Sequence, residues 1–307
     1  MSKTIRIGTR DSQLALWQAT TVQQQLEALG YKTEIVSVKS TGDLLLDKPL
    51  YELGITGIFT KTLDVAMING QVDIAVHSMK DVPTLLPKGI VQTAVLPRAN
   101  TRDILVYKEL DFLNGTGTIA SGSLRRKAQW LNKYPTHSVE DIRGNVNTRL
   151  QKLQDNSWNA AIFAKAGLER INVLPEKYIE LDWMVPAPAQ GAMVVVCMQN
   201  DPFSQEAVAK LNHHPTAICT HVERQFLQVL EGGCTAPIGA LAIIDKDQLS
   251  FEGLLLSLDG KQKLEIKKTI PVSEYQDLGK SLALEILQNG GKALMADIKT
   301  NLAQEKA

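Results

Sequence analysis

The sequence predicts an α/β protein in which two units of alternating strands and helices are followed by a smaller α+β unit. Three observations carry this. Short apolar runs alternate with helical patterns from Ile5 onward, and the alternation begins afresh after Pro97-Arg98-Ala99-Asn100. Beyond Glu231-Gly232-Gly233-Cys234, three strand-like runs succeed one another before two helical patterns close the chain. At 307 residues the chain is also too long for one compact core and suits two or three domains.

Taken in order, Ile5 to Thr9 reads as the first strand. Ser12 can cap a helix through Leu29, with Leu14, Trp17, Val22 and Leu26 on its apolar face and Gly30 ending it. A strand at 34–38, a helix at about 60–69 and a strand at 72–77 come next, which predicts a mostly parallel sheet covered by helices. In the second unit, strands at 103–107, 118–121, 137–142 and 160–164 alternate with helices near 123–132, 146–155 and 165–171. Pro186 to Gly191 looks like a crossing point, from which the strand 193–199 can return to the first unit. A strong helical pattern at 216–231 precedes strands at 237–244, 249–257 and 262–270 and helices near 273–289 and 292–302. The expected domains are therefore 1–98 plus 192–213, 101–188, and 216–307, the last with a three-stranded antiparallel sheet.

Composition excludes more than it assigns. Hydrophobic residues make up 44% and charged residues 21%, and the formal net charge is zero, so bulk electrostatics suggest neither a nucleic-acid nor a membrane partner. The amino terminus shows no apolar signal core and no segment approaches a membrane span, which leads us to expect a cytoplasmic protein. Cys197, Cys219 and Cys234 are odd in number and lack Cys-x-x-Cys or zinc-type His spacing, so no metal is expected. Cys197 lies in an apolar run and Cys219 in a helical pattern, both as small core residues. His213-His214 precede Pro215 at a helix boundary, where capping suits them better than metal ligation.

The arginines are unevenly placed. All ten lie between Arg6 and Arg224, whereas the last 83 residues hold nine lysines and no arginine. Lysine suffices for solubility; the planar guanidinium suits carboxylates and phosphates. Ser121-Gly122-Ser123-Leu124-Arg125-Arg126 opens a helix after a strand, with Ser123 as a good cap and two arginines beside free amides. Arg143-Gly144-Asn145 to Arg149 repeats the arrangement, and Arg10-Asp11-Ser12 does so in the first unit. Three such turns suggest a cleft for a polyanion, with Arg170 as a further cation.

Two other segments carry chemistry. His77-Ser78-Met79-Lys80-Asp81-Val82-Pro83 ends the strand 72–77, and polar groups at the carboxyl end of an α/β strand stand where such sheets bind ligands. Cys234 lies in a glycine-rich loop that leaves its thiol uncrowded. It can be a nucleophile, a covalent tether, or a small residue filling space beneath a turn.

His77 to Pro83, Ser123 to Arg126, Arg143-Gly144-Asn145, Gln190-Gly191-Ala192 and Glu231 to Cys234 together resemble the porphobilinogen deaminase (hydroxymethylbilane synthase) family. The likeness runs in the right order from about Ile5 to Leu302. It implies two domains like those of periplasmic binding proteins facing a cleft, and a third carrying the cysteine. It implies a monomeric transferase of haem and other tetrapyrrole synthesis that joins four porphobilinogen molecules head to tail with loss of ammonia. A dipyrromethane cofactor primes the chain, held by a thioether that the resemblance places on Cys234. The resemblance makes Asp81 the catalytic carboxylate, stabilising a developing positive charge on a pyrrole nitrogen. It gives Arg10, Ser12, Ser78, Lys80, Ser121, Ser123, Arg125, Arg126, Arg143, Gly144, Arg149, Arg170 and Gln190 to cofactor and substrate. Each pyrrole ring brings an acetate and a propionate, so the growing chain gathers negative charge that these cations suit.

Three positions depart from the commonest family pattern. Gly122 stands where many members have serine in a Thr-Ser-Ser run, Thr56 where many have lysine, and Pro188-Ala189 where others carry Val-Gly. Two rivals remain. A non-enzymatic anion-binding protein of the same fold has no use for Cys234, and a thiol enzyme needs a partner base that the sequence does not supply.

Overall fold

The computed structural model describes residues 3–38, 60–230 and 236–304. In chain order the first elements are β1 (Thr4–Thr9), α1 (Gln13–Ala28), β2 (Lys32–Ser37), α2 (Lys61–Ile68), β3 (Ile74–Ser78) and β4 (Ile90–Val95). The next are β5 (Asp103–Tyr107), β6 (Thr118–Ala120), α3 (Leu124–Lys133), β7 (Ser138–Glu140), α4 (Val146–Asp155), β8 (Ala160–Ala164), α5 (Lys165–Arg170) and β9 (Tyr178–Glu180). The chain continues through β10 (Met193–Met198), α6 (Pro202–Ala209), α7 (His214–Val229), β11 (Ile238–Asp245), β12 (Gln248–Leu256), β13 (Lys263–Pro271), α8 (Leu278–Ile286) and α9 (Lys292–Gln304).

The strands form three sheets, ordered β2-β1-β3-β10-β4, β7-β6-β8-β5-β9 and β11-β12-β13. The two larger sheets are built alike. In the first, β1 runs parallel to β2 and β3, while β10 runs antiparallel to β3 and β4. In the second, β6 runs parallel to β7 and β8, while β5 runs antiparallel to β8 and β9. Each sheet is thus evenly mixed, not mostly parallel as the strand-helix alternation suggests. The antiparallel strands β10 and β5 are the ones reached by a crossing between sheets. No local βαβ connection dictates their direction. The third sheet is an antiparallel meander, as expected.

Both faces of each large sheet are covered. One face of the first packs Ile5, Ile7, Val76 and Val195 against Ala19, Val22 and Leu26 of α1; the other packs Ala75, Val194 and Val196 against Leu63 and Met67 of α2. In the second sheet Ile104 and Phe163 face one layer, and Leu105 and Ile162 share the other with Trp130. The third unit packs Val222 and Phe226 of α7 and Leu282 and Ile286 of α8 onto Phe251 and Leu255. It docks on α3 through a small apolar contact of Ala128, Val185, Leu254 and Leu256.

The caps are largely those the sequence suggests. Ser12 accepts from the Ala15 amide, Ser123 from that of Arg126, and Asn145 from that of Thr148. His213 accepts from the Thr216 amide with Pro215 in the first turn of α7, so it caps a helix. Strands β4 and β9 and helix α6 have no counterpart among the expected elements. They are short or weakly patterned and owe their form to neighbours.

Candidate active site

The functional side chains gather because of strand direction. β1 ends at Thr9 and hands over to Arg10; β3 ends at Ser78 and hands over to Lys80 and Asp81 in a 3-10 turn. β6 and β7 end just before Ser121 and Asp141, leading to Arg125, Arg126 and Arg143. These are carboxyl ends of parallel strands, where α/β sheets bind ligands. Because β5 and β10 run the other way, their amino-terminal ends reach the same edges. Met193 is the register partner of Ser78, which puts Gln190 beside the Lys80 turn, and Asp103 is the partner of Ala164.

Asp103 is the centre of the electrostatics, and it is fully buried. Arg126 donates from Nε and Nη2 to its Oδ1 at 3.0 and 2.7 Å, and Arg125 Nη2 lies 2.8 Å from Oδ2. Gln190 Nε2 donates to Asp103 Oδ1 at 2.9 Å and to the Thr101 carbonyl at 2.8 Å, while its Oε1 accepts from Lys80 Nζ at 3.2 Å. Burial alone raises a carboxyl pKa, but Arg125, Arg126 and Lys80 outweigh it and hold Asp103 well below the usual carboxylate range. The arginine pair that the sequence offers to a ligand therefore has an internal counter-ion. Arg125 Nη1 and Arg126 Nη1 are further held by the carbonyls of Val185 and Ile162, at 2.6 and 3.0 Å.

Around this core the remaining cations are disfavoured by burial and by one another. Lys80 is pushed down to about 8, by burial first and then by Arg126, against the opposing pull of Asp81 and Asp103. Arg149 is lowered to about 10 by burial and by Arg126, Arg143 and Arg10, again opposed by Asp81. Burial lowers Arg143 as well, against the pull of Asp141, and burial with Arg10 takes His77 to about 4. Among the described residues of this set, the six cations Arg10, Lys80, Arg125, Arg126, Arg143 and Arg149 face three carboxylates, Asp81, Asp103 and Asp141. Arg125 Nε and His77 Nε2 are buried with no hydrogen-bond partner among the described residues. An excess of cations with an orphaned guanidinium N–H fits an anionic group with several carboxylates, such as a dipyrromethane.

The other expected residues fall into place around it. Ser78 Oγ accepts from buried Gln18 at 2.9 Å, Ser121 is buried and accepts from the Ser123 amide, and the Gly144 carbonyl takes Arg149 Nε at 2.8 Å. Arg170 is placed elsewhere. Its Nη2 donates to the Gly191 carbonyl at 2.7 Å, its guanidinium lies 5.5 Å from the Trp17 ring centre, and it lines a cavity with Arg98 and Met193. Cys234 and Thr56 lie outside the described residues; Cys197 and Cys219 are buried free thiols.

Two of the departures have a visible basis. A Cβ on Gly122 would stand 2.6 Å from the Ile142 carbonyl oxygen, so the backbone here closes onto the next strand's loop and leaves no room for serine. Ala189 adopts φ 62°, a left-handed conformation that costs a non-glycine residue roughly 1–2 kcal/mol, which accounts for glycine in other members. Gly191 comes next but one at φ 84°, with the Ala99 carbonyl 2.6 Å from where a Cβ would be.

Three residues that sequence reasoning missed matter here: Asp103, Glu223 and Arg224. Fully buried Glu223 takes Arg98 in a bidentate pair at 2.6 and 2.9 Å and the amides of Ala189 and Ala242 at 2.6 and 2.7 Å, tying α7 to the end of the first unit, to the 186–191 crossing and to β11. The signal was present: an acid opening an apolar strand, and another on the apolar face of a helix, both demand partners when buried.

The geometry defines an anion-binding α/β protein with a carboxylate set among cations. Residues 5–206 match the family model "Porphobilinogen deaminase, dipyromethane cofactor binding domain", and residues 217–288 match that family's C-terminal domain. The chain is 42% identical over 301 residues to the chloroplastic porphobilinogen deaminase of Oryza sativa subsp. japonica, covering 94% of this chain and 84% of that one. It is 40% identical over 302 residues to the porphobilinogen deaminase of Trichlorobacter lovleyi, covering 96% and 97%. Among solved structures, the methionine binding protein MetQ superposes with a TM-score of 0.45 at 11% identity, over 68% of this chain and 89% of that one. The chain belongs to the porphobilinogen deaminase family.

Among the described residues, no group of three or more His, Cys, Asp or Glu could hold a metal ion, and no helix is long and apolar enough to cross a membrane.

Proposed function

We propose that this chain joins four porphobilinogen molecules head to tail, releasing one ammonia at each step, to give hydroxymethylbilane. The observation that carries this reading is the six-cation cluster around Asp81 and Asp103, with its excess of positive charge among the described residues where Gln190 joins the turn after β3 to the start of β5. Asp81 is the catalytic residue. Its carboxylate stabilises positive charge as ammonia departs and holds the proton that moves at each condensation. Arg10, Lys80, Arg143 and Arg149 bind acetate and propionate groups, with Ser12, Ser78, Ser121, Ser123 and the Gly144 loop completing the lining. Arg125 and Arg126 give the ligand what Asp103 leaves of their donors, and Gln190 aims Lys80. Arg170 supports the Gly191 crossing beside Gln190. Cys234 is the attachment point of the dipyrromethane, by a thioether that cytosolic reductants leave intact. When bound, that group supplies the pyrrole end from which the chain grows.

The three sheets support domains at 1–98 plus 192–213, 101–188 and 216–307. Buried free thiols support a reducing, cytoplasmic setting, a formal net charge of zero supports the absence of a nucleic-acid partner, and the monomeric state rests on the family resemblance alone.

The test is the intact mass of the denatured, reduced protein. An excess of two linked pyrrole units in the wild type and in Asp81→Asn, absent from Cys234→Ser, is the expected result. A bare mass after incubation with porphobilinogen would overturn the reading. With the cofactor loaded, Asp81→Asn should lose at least about 100-fold in kcat; turnover near wild type removes Asp81 from the chemistry.

A further inference from the structure

Asp81 lies on a short turn whose hydrogen bonds, among the described residues, run mostly to other elements. Residues 79–81 form a single 3-10 turn closed by one main-chain bond, from the Val82 amide to the Met79 carbonyl at 3.2 Å. On one side the Met79 amide donates to the Ala192 carbonyl at 3.0 Å, and the Met79 and Val82 side chains are buried. On the other side the turn presents its carbonyls outward, and one side chain from a different unit takes three of them. Arg224 of α7 donates from Nη1 to the carbonyls of Met79 and Val82, at 3.2 and 2.9 Å, and from Nη2 to that of Pro83 at 2.6 Å.

The pattern is specific to a guanidinium. Its planar fork reaches three carbonyls on both sides of Asp81 at once, which a single ammonium point charge on a flexible stem does poorly. These three partners are main-chain oxygens and not a surface carboxylate, and burial lowers Arg224 to about 10. The neighbouring Glu223 on the same helix is bound to Arg98, Ala189 and Ala242, which holds the helix against the first unit, the 186–191 crossing and β11. The helix that carries Arg224 is thus held on several sides.

We infer that Arg224 is a positioning residue for the reaction: it clamps the 79–83 turn from α7 and so sets where the Asp81 carboxylate stands relative to the bound pyrrole chain. α7 ends at Val229, five residues before Cys234, so the element that aims the carboxylate lies close in sequence to the proposed attachment residue. The inference rests on Asp81 being catalytic, and the test separates the two.

Arg224→Gln and Arg224→Lys are compared with the wild type as cofactor-loaded enzymes, loading being read from intact mass and folding from circular dichroism. A displacement of the reacting group by about 1 Å costs on the order of 100-fold. Arg224→Gln should therefore lose about 10–100-fold in kcat with KM for porphobilinogen within about threefold, and Arg224→Lys should recover part of the loss. In the Asp81→Asn background, Arg224→Gln should add little, because the group it aims is gone. Unchanged kcat in loaded, folded Arg224→Gln overturns the inference, as do losses that multiply in the double variant. If Asp81→Asn retains turnover, it is the Asp81 assignment that fails, whatever Arg224→Gln does.

Discussion

Replacing Asp103 by asparagine removes one negative charge and almost no volume, which isolates its part as internal counter-ion. In the wild type Oδ1 takes Arg126 twice and Gln190 once, and Oδ2 faces Arg125. The amide can accept at one atom only and points N–H groups at a guanidinium from the other. Two nearly buried arginines, with Lys80 close by, then lack their shared partner. Removing one member of such a buried pair costs about 3–5 kcal/mol, a large share of the roughly 5–15 kcal/mol that holds a domain together. At about 2–4 °C per kcal/mol, Tm should fall by roughly 6–20 °C. The assay is thermal unfolding by circular dichroism, with and without the cofactor. A bound polycarboxylate replaces part of the missing charge, so loading should raise Tm more in Asp103→Asn than in the wild type. The pH dependence has a fixed sign. Asp103 titrates below its ordinary 3.8 when folded, so its stabilisation is present above about pH 4 and is lost as pH falls through the folded value. The gap between the two proteins should close below about pH 4. A Tm drop under about 2 °C at pH 7, or a gap that widens in acid, would refute the account of Asp103 as counter-ion.

The neighbouring groups give further expectations. Lys80, lowered to about 8, loses its charge in the free enzyme as pH rises through that value, so KM for porphobilinogen should climb above about pH 8. Lys80→Arg, which stays charged, should flatten that rise, and an identical profile would show that Lys80 does not bind the anion. Ala189→Gly relieves a φ of 62° at the cost of a freer unfolded chain, and should be neutral to about 1 kcal/mol stabilising by urea denaturation. A clear destabilisation would mean the Ala189 methyl packs usefully. Gly122→Ser must displace the Ile142 carbonyl and should cost about 1–3 kcal/mol, whereas an unchanged midpoint would show that the loop yields freely.

The features legible in the sequence were local. Strands ending in chemistry, Ser12 and Ser123 capping the helices beyond them, and three arginine turns are all contained within a few residues, and the structure assembles them at one edge. The concealed features were long-range. Asp103 meets Arg126 across 23 residues, and Glu223 meets Arg98 across 125, so nothing near either acid names its partner. For the same reason the counter-ion of the arginine pair was not visible, nor were Gly191 and Trp17 as contacts of Arg170. The direction of β10 and β5 was hidden too, because alternation reports which element comes after a strand and not where its sheet partner comes from.

The position of β10 has a consequence for how the protein is made. It lies between β3 and β4, yet it leaves the ribosome about a hundred residues after them, once the whole of β5 to β9 has been synthesised. The sheet of residues 103–180 is contiguous and can close on its own, while the earlier one waits with the place between β3 and β4 vacant and two apolar strand edges exposed. The nascent chain thus completes its later-made sheet first. The older half is the segment that a chaperone would have to shield until Met193 to Met198 arrive.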